Sequence, residues 1–313
     1  MLAMKVVVAG GSGALGRRLC DDLAARGHEV VVLTRTVRGG PHRQVVWDGQ
    51  TVGPWAEELP GSAVVNLAGE LVDRRPTRAN IELLTRSRVE PTIALAAAAS
   101  RSQPVPVWLQ ASTLAIYGDA GEQELTESDP PADGPPQMAG VARAWERAAE
   151  NVNARRQVIL RTSIVLDRNT PALNRLTRLT KVGLGGRVGS GQQWVSWIHI
   201  DDWLSIVRWC LGVEDSDART AAPPPEGVLI ATSPNAVRNH ELMASLRHVV
   251  RRPWSPPTPV PLVRLGATLL RTDPALALTG RRATSRRLAD SGFRFEHPHL
   301  EEALRSLLQK PGR

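Results

Sequence analysis

The chain has 313 residues, 42 % of them hydrophobic, and a net charge of +8, a size that suits one large nucleotide-binding domain with a smaller appended lobe. The arginines are scattered, with no zinc-finger spacing and no motif interleaving aromatics with charge, so a nucleic-acid binder is not expected. No stretch approaches the roughly 18 uncharged apolar residues of a membrane span and no signal-like segment is seen, which makes the cytoplasm the default location.

Lys5 to Ala9 reads KVVVA, a strand, and is followed by Gly10, Gly11, Ser12, Gly13, Ala14, Leu15 and Gly16. A helix then runs to Arg26, with Leu15, Leu19, Leu23 and Ala24 on its apolar side, and a second strand spans Glu29 to Leu33. Gly10, Gly13 and Gly16 stand three apart between strand and helix. That context predicts a turn whose backbone approaches a dinucleotide diphosphate, with the first N–H groups of the helix, at Ala14 and Leu15, facing the negative charge. The second strand ends at Thr34 and Arg35 without an acidic residue. Thr34, Arg35 and Arg38 instead supply hydroxyl and positive charge, which suits the 2′-phosphate of NADP(H) better than the free ribose of NAD.

Ala63 to Ala68 is the next strand, and the small residues Ala68 and Gly69 at its end let the chain, Leu67 included, approach a cofactor. Thr77 to Ala99 is a long helical stretch that Pro91 is expected to end or kink. Pro106 to Ala111 is a strand followed by Ser112 and Thr113, Glu122 to Pro136 a surface loop, and Ala139 to Asn151 a helix. Val158 to Leu160 is a strand that ends in Arg161. Beyond Leu166 the character changes. A helix over Ala172 to Val182 precedes a stretch with five glycines between Gly183 and Gly191. Trp194 to His199 follows, then a helix that Asp201 or Asp202 is placed to cap. Asp215 to Gly227 is a proline-rich linker, Val228 to Ala231 a strand, and His240 to Val250, Leu262 to Leu270 and Leu300 to Leu308 are helical. Cys20 and Cys210 sit in apolar helical contexts and read as buried thiols, and no metal-ligand set is expected.

The expected fold class is α/β, a Rossmann-type doubly wound parallel sheet with a smaller C-terminal substrate lobe. Residues 1–166 form the NADP-binding domain, with 197–232 returning to it, and 167–196 and 233–313 form the substrate lobe.

Informative motifs run along nearly the whole chain: the Gly10–Gly16 turn, Asn66-Leu67-Ala68-Gly69-Glu70, Ser87-Arg88, Tyr117-Gly118-Asp119, Trp145-Glu146, Leu160-Arg161-Thr162, and Gly185 to Gly191 followed by Trp197-Ile198-His199-Ile200-Asp201-Asp202. In these the chain resembles the extended short-chain dehydrogenase/reductases, and within them the atypical YfcH-like and SDR39U-like branch of the NAD-dependent epimerase/dehydratase family. The resemblance implies a seven-stranded parallel sheet and NADP(H) in the first domain. Ser87 takes the place where relatives keep an asparagine near the cofactor ribose. Ser112 and Arg161, at neighbouring strand ends, are counted with the cofactor contacts.

Active members of the wider superfamily use a Ser or Thr, a Tyr and a Lys. By resemblance Thr113 fills the first place. The helical register puts the other two at Met138 and Ala142, neither of which can exchange a proton or hold a ribose. Substitute acids are Thr113 itself, Tyr117 (the only tyrosine in the chain) and His199. Arg74 and Arg75 are candidates to clamp an anionic substrate. Two functions remain open. One is an NADP(H)-dependent oxidoreductase or epimerase-like enzyme acting on a small organic substrate by hydride transfer. The other is a non-catalytic NADP(H)-binding sensor or partner-binding protein, a class in which some relatives are linked to cell division. Relatives pair through two helices, so a homodimer is a further expectation.

Overall fold

The valine runs near the start of the chain are apolar at every position rather than at alternate ones, the pattern of strands covered on both faces. The computed structural model, which describes residues 3–213 and 219–309, shows why. Seven strands form one parallel sheet: β1 (Lys5–Ala9), β2 (Glu29–Thr34), β3 (Arg43–Val46), β4 (Ala63–Asn66), β5 (Trp108–Thr113), β6 (Gln157–Thr162) and β7 (Gly227–Ala231). Their spatial order is β7-β6-β5-β4-β1-β2-β3. Val6 and Val8 face one core with Leu19, Leu23 and Trp203, while Val7 and Ala9 face the other with Leu33, Trp47 and Trp108. Tryptophan fills much of this volume. Trp55, Trp108, Trp197 and Trp203 are each at most 2 % exposed, which is how a chain with so few Phe and Tyr builds two cores.

The order of strands reverses between β1 and β4, so a crevice opens at their C-terminal ends. β1 feeds the glycine turn and the helix Ala14–Ala25, and β4 feeds the loop 67–70. The helix Arg78–Ala99 continues through Pro91, so of the two expectations at that proline an end to the helix does not occur. The expected helix from Ala139 divides into a π-helical turn, Pro136–Gly140, and a short α-helix, Val141–Arg147.

Helix Ile200–Leu211 returns to the sheet and packs on Ala14–Ala25, where Arg208 meets Asp22 at 2.8 Å. Its cap is neither aspartate. His199 is the N-cap, with Nδ1 accepting the backbone N–H of Asp201, while the Asp202 carboxylate accepts the N–H groups of Glu296 and His297. The linker expected from Asp215 has residues 215–218 outside the described residues, and its strand at Gly227–Ala231 completes the sheet beside β6. Beyond it, helix Asn239–Val249 packs against Leu300–Leu308. Cys20 and Cys210 are buried free thiols, both pushed up to about 12 by burial.

Candidate active site

The glycine turn is shaped by backbone contact. Gly10 has φ +81°, and a Cβ on it would lie 2.6 Å from the Leu67 carbonyl oxygen. A Cβ on Gly16 would lie 2.3 Å from the Gly10 oxygen. Only hydrogen fits at either place. The turn therefore lies flat against the loop leaving β4, and Leu67 N–H bonds to Ala9 O at 2.8 Å. Gly13 is the N-cap of helix Ala14–Ala25; no side chain caps this end and its first turn holds no acid. The arrangement leaves helical N–H groups for an anion.

The opposite wall is held by Asn66, which is wholly buried. Its Nδ2 donates to Thr92 and Gln110, and its Oδ1 accepts from the N–H of Ala68. Gly69 runs against the Arg88 side chain, 3.0 Å from where a Cβ would stand. Ser87 Oγ accepts from the N–H of Glu70, so it fixes this loop. At the end of β2, Thr34 is buried and donates to Thr36 O, whereas Arg35 and Arg38 are exposed; Arg35 reaches Glu70 at 3.6 Å.

Beside this crevice a cleft of about 380 Å³ opens between the sheet and the C-terminal segment. Thr113 and Thr162 line it from the ends of β5 and β6, Met138 and Ala142 from the π-helical turn and the following helix, and Trp194 and Arg281 from the other side. Thr113 Oγ1 accepts the N–H of Ala115, which leaves its own O–H to donate elsewhere. Arg281 is brought here by its neighbours: its N–H bonds to Trp194 O, and its carbonyl accepts from Ser196 Oγ. A Cβ on Gly280 would lie 2.4 Å from Trp194 N, so the segment can approach this closely only with glycine there. One Arg281 Nη hydrogen-bonds the sulfur of Met138 at 3.4 Å.

Tyr117 and His199, expected as substitute acids, lie elsewhere. Tyr117 is 4 % exposed, among Leu114, Ile116 and Leu125, and burial raises its pKa. Its hydroxyl donates to Thr126 O and accepts from Arg161. His199 is 2 % exposed, its ring tilted 41° to that of His297 with centroids 3.8 Å apart, and its Nε2 faces Ser306 Oγ. Burial, with His297 and Arg18 adding to it, depresses its pKa to about 3, so it is neutral at physiological pH. His199, Asp201 and His297 bring ligand-type atoms within 4.8 Å of one another, but both ring nitrogens of His199 already have protein partners.

Arg161 and Ser112 are also drawn inward. Arg161 donates from Nε and one Nη to the two oxygens of Glu146 at 2.9 and 2.8 Å, and from the other Nη to Tyr117; Ser112 Oγ bonds the same carboxylate. This network fastens the helix carrying Met138's neighbours to β5 and β6. Of the other arginines, Arg74 lines the cleft and pairs with Glu70, and Arg75 donates to Thr268 O. Sequence reasoning assigns no role to Ser163, Trp145 or Arg281, although Trp145 stands in one of the motifs. Each lines the cleft with a buried polar atom that has no hydrogen-bond partner among the described residues: Oγ, Nε1 and Nε respectively. Arg281 stands in the sequence only as half of an Arg-Arg pair, with no periodicity to mark it.

A parallel sheet in this order, with a side-chain-free cradle at its switch point, defines a Rossmann-type dinucleotide-binding protein. The model of the NAD dependent epimerase/dehydratase family matches residues 6–220, and the chain belongs to that family. A domain of unknown function (DUF1731) matches residues 258–307, the segment that supplies Arg281. The chain is 33 % identical over 312 residues to the epimerase family protein SDR39U1 of Bos taurus, covering 97 % of this chain and all of that protein. It is 30 % identical to the epimerase family protein YfhF of Bacillus subtilis over 97 % of this chain and 98 % of that one. The crystal structure of human epimerase family protein SDR39U1 (isoform 2) with NADPH superposes with a TM-score of 0.83 at 30 % identity, covering 98 % of this chain and 100 % of that one. No helix among the described residues is long and apolar enough to cross a membrane.

Proposed function

We propose that the protein binds NADP(H) in the glycine cradle and transfers hydride to or from a small organic substrate in the adjoining cleft, without the usual Tyr–Lys pair. The observation that carries this reading is the cradle, in which Gly10 and Gly16 admit nothing larger than hydrogen beside an uncapped helix end. The solved human relative with NADPH supports the choice of dinucleotide. Exposed Arg35 and Arg38 at the end of β2, where an acid would favour NAD, support it independently.

A bound reduced dinucleotide supplies hydride. The chain's own residues orient and polarise the acceptor. Thr113 offers an O–H at the mouth of β5, in the place where the family keeps a hydroxyl. Ser163 offers a second, unpartnered hydroxyl from the segment just after β6. Met138 occupies the tyrosine position with a thioether and Ala142 the lysine position with a methyl. The protein therefore binds and polarises its substrate oxygen through hydrogen bonds, and the proton reaches that oxygen from solvent.

Equilibrium titration with NADPH and NADH tests the reading. NADPH binds at least about tenfold more tightly than NADH, and Arg35→Asp abolishes the difference. Equal affinity for the two dinucleotides, or no binding of either, contradicts it. The absence of a Tyr and a Lys at positions 138 and 142, where Met138 and Ala142 stand, favours one other reading, a non-catalytic NADP(H)-binding sensor or partner-binding protein, which the same titration leaves intact and turnover separates. Homodimer formation through helix Arg78–Ala99 rests on Leu83 and Ile93, which are 40 and 53 % exposed on it, and is read by sedimentation of the Ile93→Glu variant.

A further inference from the structure

Four charged residues line the cleft: Arg74, Arg88, Asp273 and Arg281. Two are neutralised or satisfied locally. Arg74 pairs with Glu70 at 3.2 Å, and Asp273 accepts from Gln137 Nε2 and from the N–H of Ala275. Arg88 and Arg281 make no ion pair among the described residues. Arg88 is 8 % exposed, donates to the carbonyls of Leu84 and Glu70, and lies 5.2 Å above the Trp145 ring. It has acceptors but no carboxylate. Arg281 lacks both: one Nη meets a thioether sulfur, a weak acceptor, and Nε meets nothing. Burial lowers the pKa of both guanidinium groups, which remain protonated at neutral pH; Glu70 and Asp119 act on Arg88 and Arg281 only from beyond ion-pair distance, so neither guanidinium has a carboxylate in contact with it. Trp145 Nε1 and Ser163 Oγ are unpartnered as well. An indole N–H and a guanidinium N–H can only donate. Buried charge without a partner is costly, and buried donors without acceptors add to the cost. The missing group is an acceptor that carries negative charge.

We propose that Arg281 anchors the carboxylate of a small organic acid in this cleft, with Trp145 as a further donor, so that the substrate of the hydride-transfer site is an acid with an apolar body. The planar guanidinium fork matches the two oxygens of a carboxylate. Leu84, Leu114, Val141, Leu176, Leu242 and Leu276 supply the wall on which the rest of the molecule lies. A carboxylate fits better than a phosphate because Arg281 is the one cleft guanidinium with neither a carboxylate nor a carbonyl on its side chain among the described residues and no lysine lines the cleft; Arg74 Nε is also unpartnered, but that guanidinium is already neutralised by Glu70. The inference rests on the cleft being the substrate site of the proposed function, but it places the anchor on the 279–283 segment, apart from the glycine cradle.

The test is calorimetric titration of the whole chain with phenylpyruvate and 4-methyl-2-oxopentanoate, with and without NADPH. The methyl ester of phenylpyruvate and phenyl phosphate serve as comparisons. The acids bind saturably, and the neutral ester binds about tenfold or more weakly. Arg281→Gln weakens the acids about 10- to 100-fold, the range of a charge-assisted hydrogen bond, and leaves NADPH affinity unchanged; Arg281→Lys restores part of the loss. Ester and acid binding equally, phenyl phosphate binding more tightly than the acids, or acid affinity untouched in Arg281→Gln would each overturn the proposal. The acid-to-ester ratio of the unaltered chain stands as a test even where a variant fails to fold. Acid binding without NADPH binding would remove the dinucleotide reading and leave the Arg281 anchor standing.

Discussion

Arg161 holds both oxygens of Glu146 and the phenol of Tyr117 where side-chain exposure is 5 % for the arginine and 13 % for the glutamate. Removing one partner of such a pair strands the other charge, so Arg161→Met lowers stability by about 3–5 kcal/mol, read by urea unfolding. Tyr117→Phe removes one hydroxyl between two partners and costs about 1–3 kcal/mol while leaving turnover unchanged. A large loss of kcat in a folded Tyr117→Phe protein would contradict its placement in the core. His199 makes an opposite kind of statement. Its folded pKa of about 3 lies below the usual 6.5, so between those values the unfolded chain holds the extra proton. Its contribution is complete above about pH 6.5 and is lost as the pH falls toward 3. Burial raises the carboxyl groups of Asp201 and Asp202, whose titration works against this loss in the acid range. His199→Asn keeps a cap acceptor for Asp201 N–H and removes the imidazole. The variant therefore loses less stability than the parent chain between pH 7 and pH 4, measured by urea unfolding at each pH.

At the scale of elements, the strand–turn–helix at the start was legible because its chemistry is local. Glycine spacing, valine runs and the missing acid after β2 all lie within about thirty-five residues. The glycines there are not equivalent. Gly10→Ala meets both a positive φ and the Leu67 carbonyl, whereas Gly13 has φ −71° and a nearest contact of 3.2 Å. Gly10→Ala therefore destabilises by about 1–3 kcal/mol or more and abolishes dinucleotide binding. Gly13→Ala folds and binds with reduced affinity, a contrast that thermal melts with and without NADPH will show. The helix expected over Ala139–Asn151 was legible in place but not in extent or form: helical structure begins at Pro136 and ends at Arg147. A five-residue run, Pro136–Gly140, folds as a π-helical turn, and no residue type in PQMAG announces it. The sequence, by resemblance and by the register with Glu146, pointed to Met138 and Ala142, and both line the cleft. It misplaced Tyr117, because proximity to Thr113 in sequence says nothing about which side of the strand end a side chain takes. The 3₁₀ turn Leu114–Tyr117 carries the ring inward.

Across the whole molecule the cleft is closed by a segment far away in sequence. Arg282 and Ala283 pair with Glu124 and Leu125, and Gly280 donates its N–H to Asp119, so the C-terminal part of the chain is stitched to the loop after β5. Contacts between positions about 160 residues apart leave no periodic trace, which is why Arg281 reads as surface charge in the sequence and as an unpaired donor in the fold. The long-range placement of His199 fails for the same reason: it follows from the approach of His297 and Ser306, not from the strand that carries it. The proposed function requires this fold to move hydride without a tyrosine at position 138. NADPH deuterated at C4, incubated with the protein and a panel of small oxo acids and enones, tests it most directly by mass spectrometry of the products. The account predicts deuterium at carbon in at least one reduced product, with transfer surviving in Tyr117→Phe and His199→Asn. NADPH that binds tightly while its deuterium stays in place across the panel would contradict the claim and leave a dinucleotide-binding protein without this chemistry.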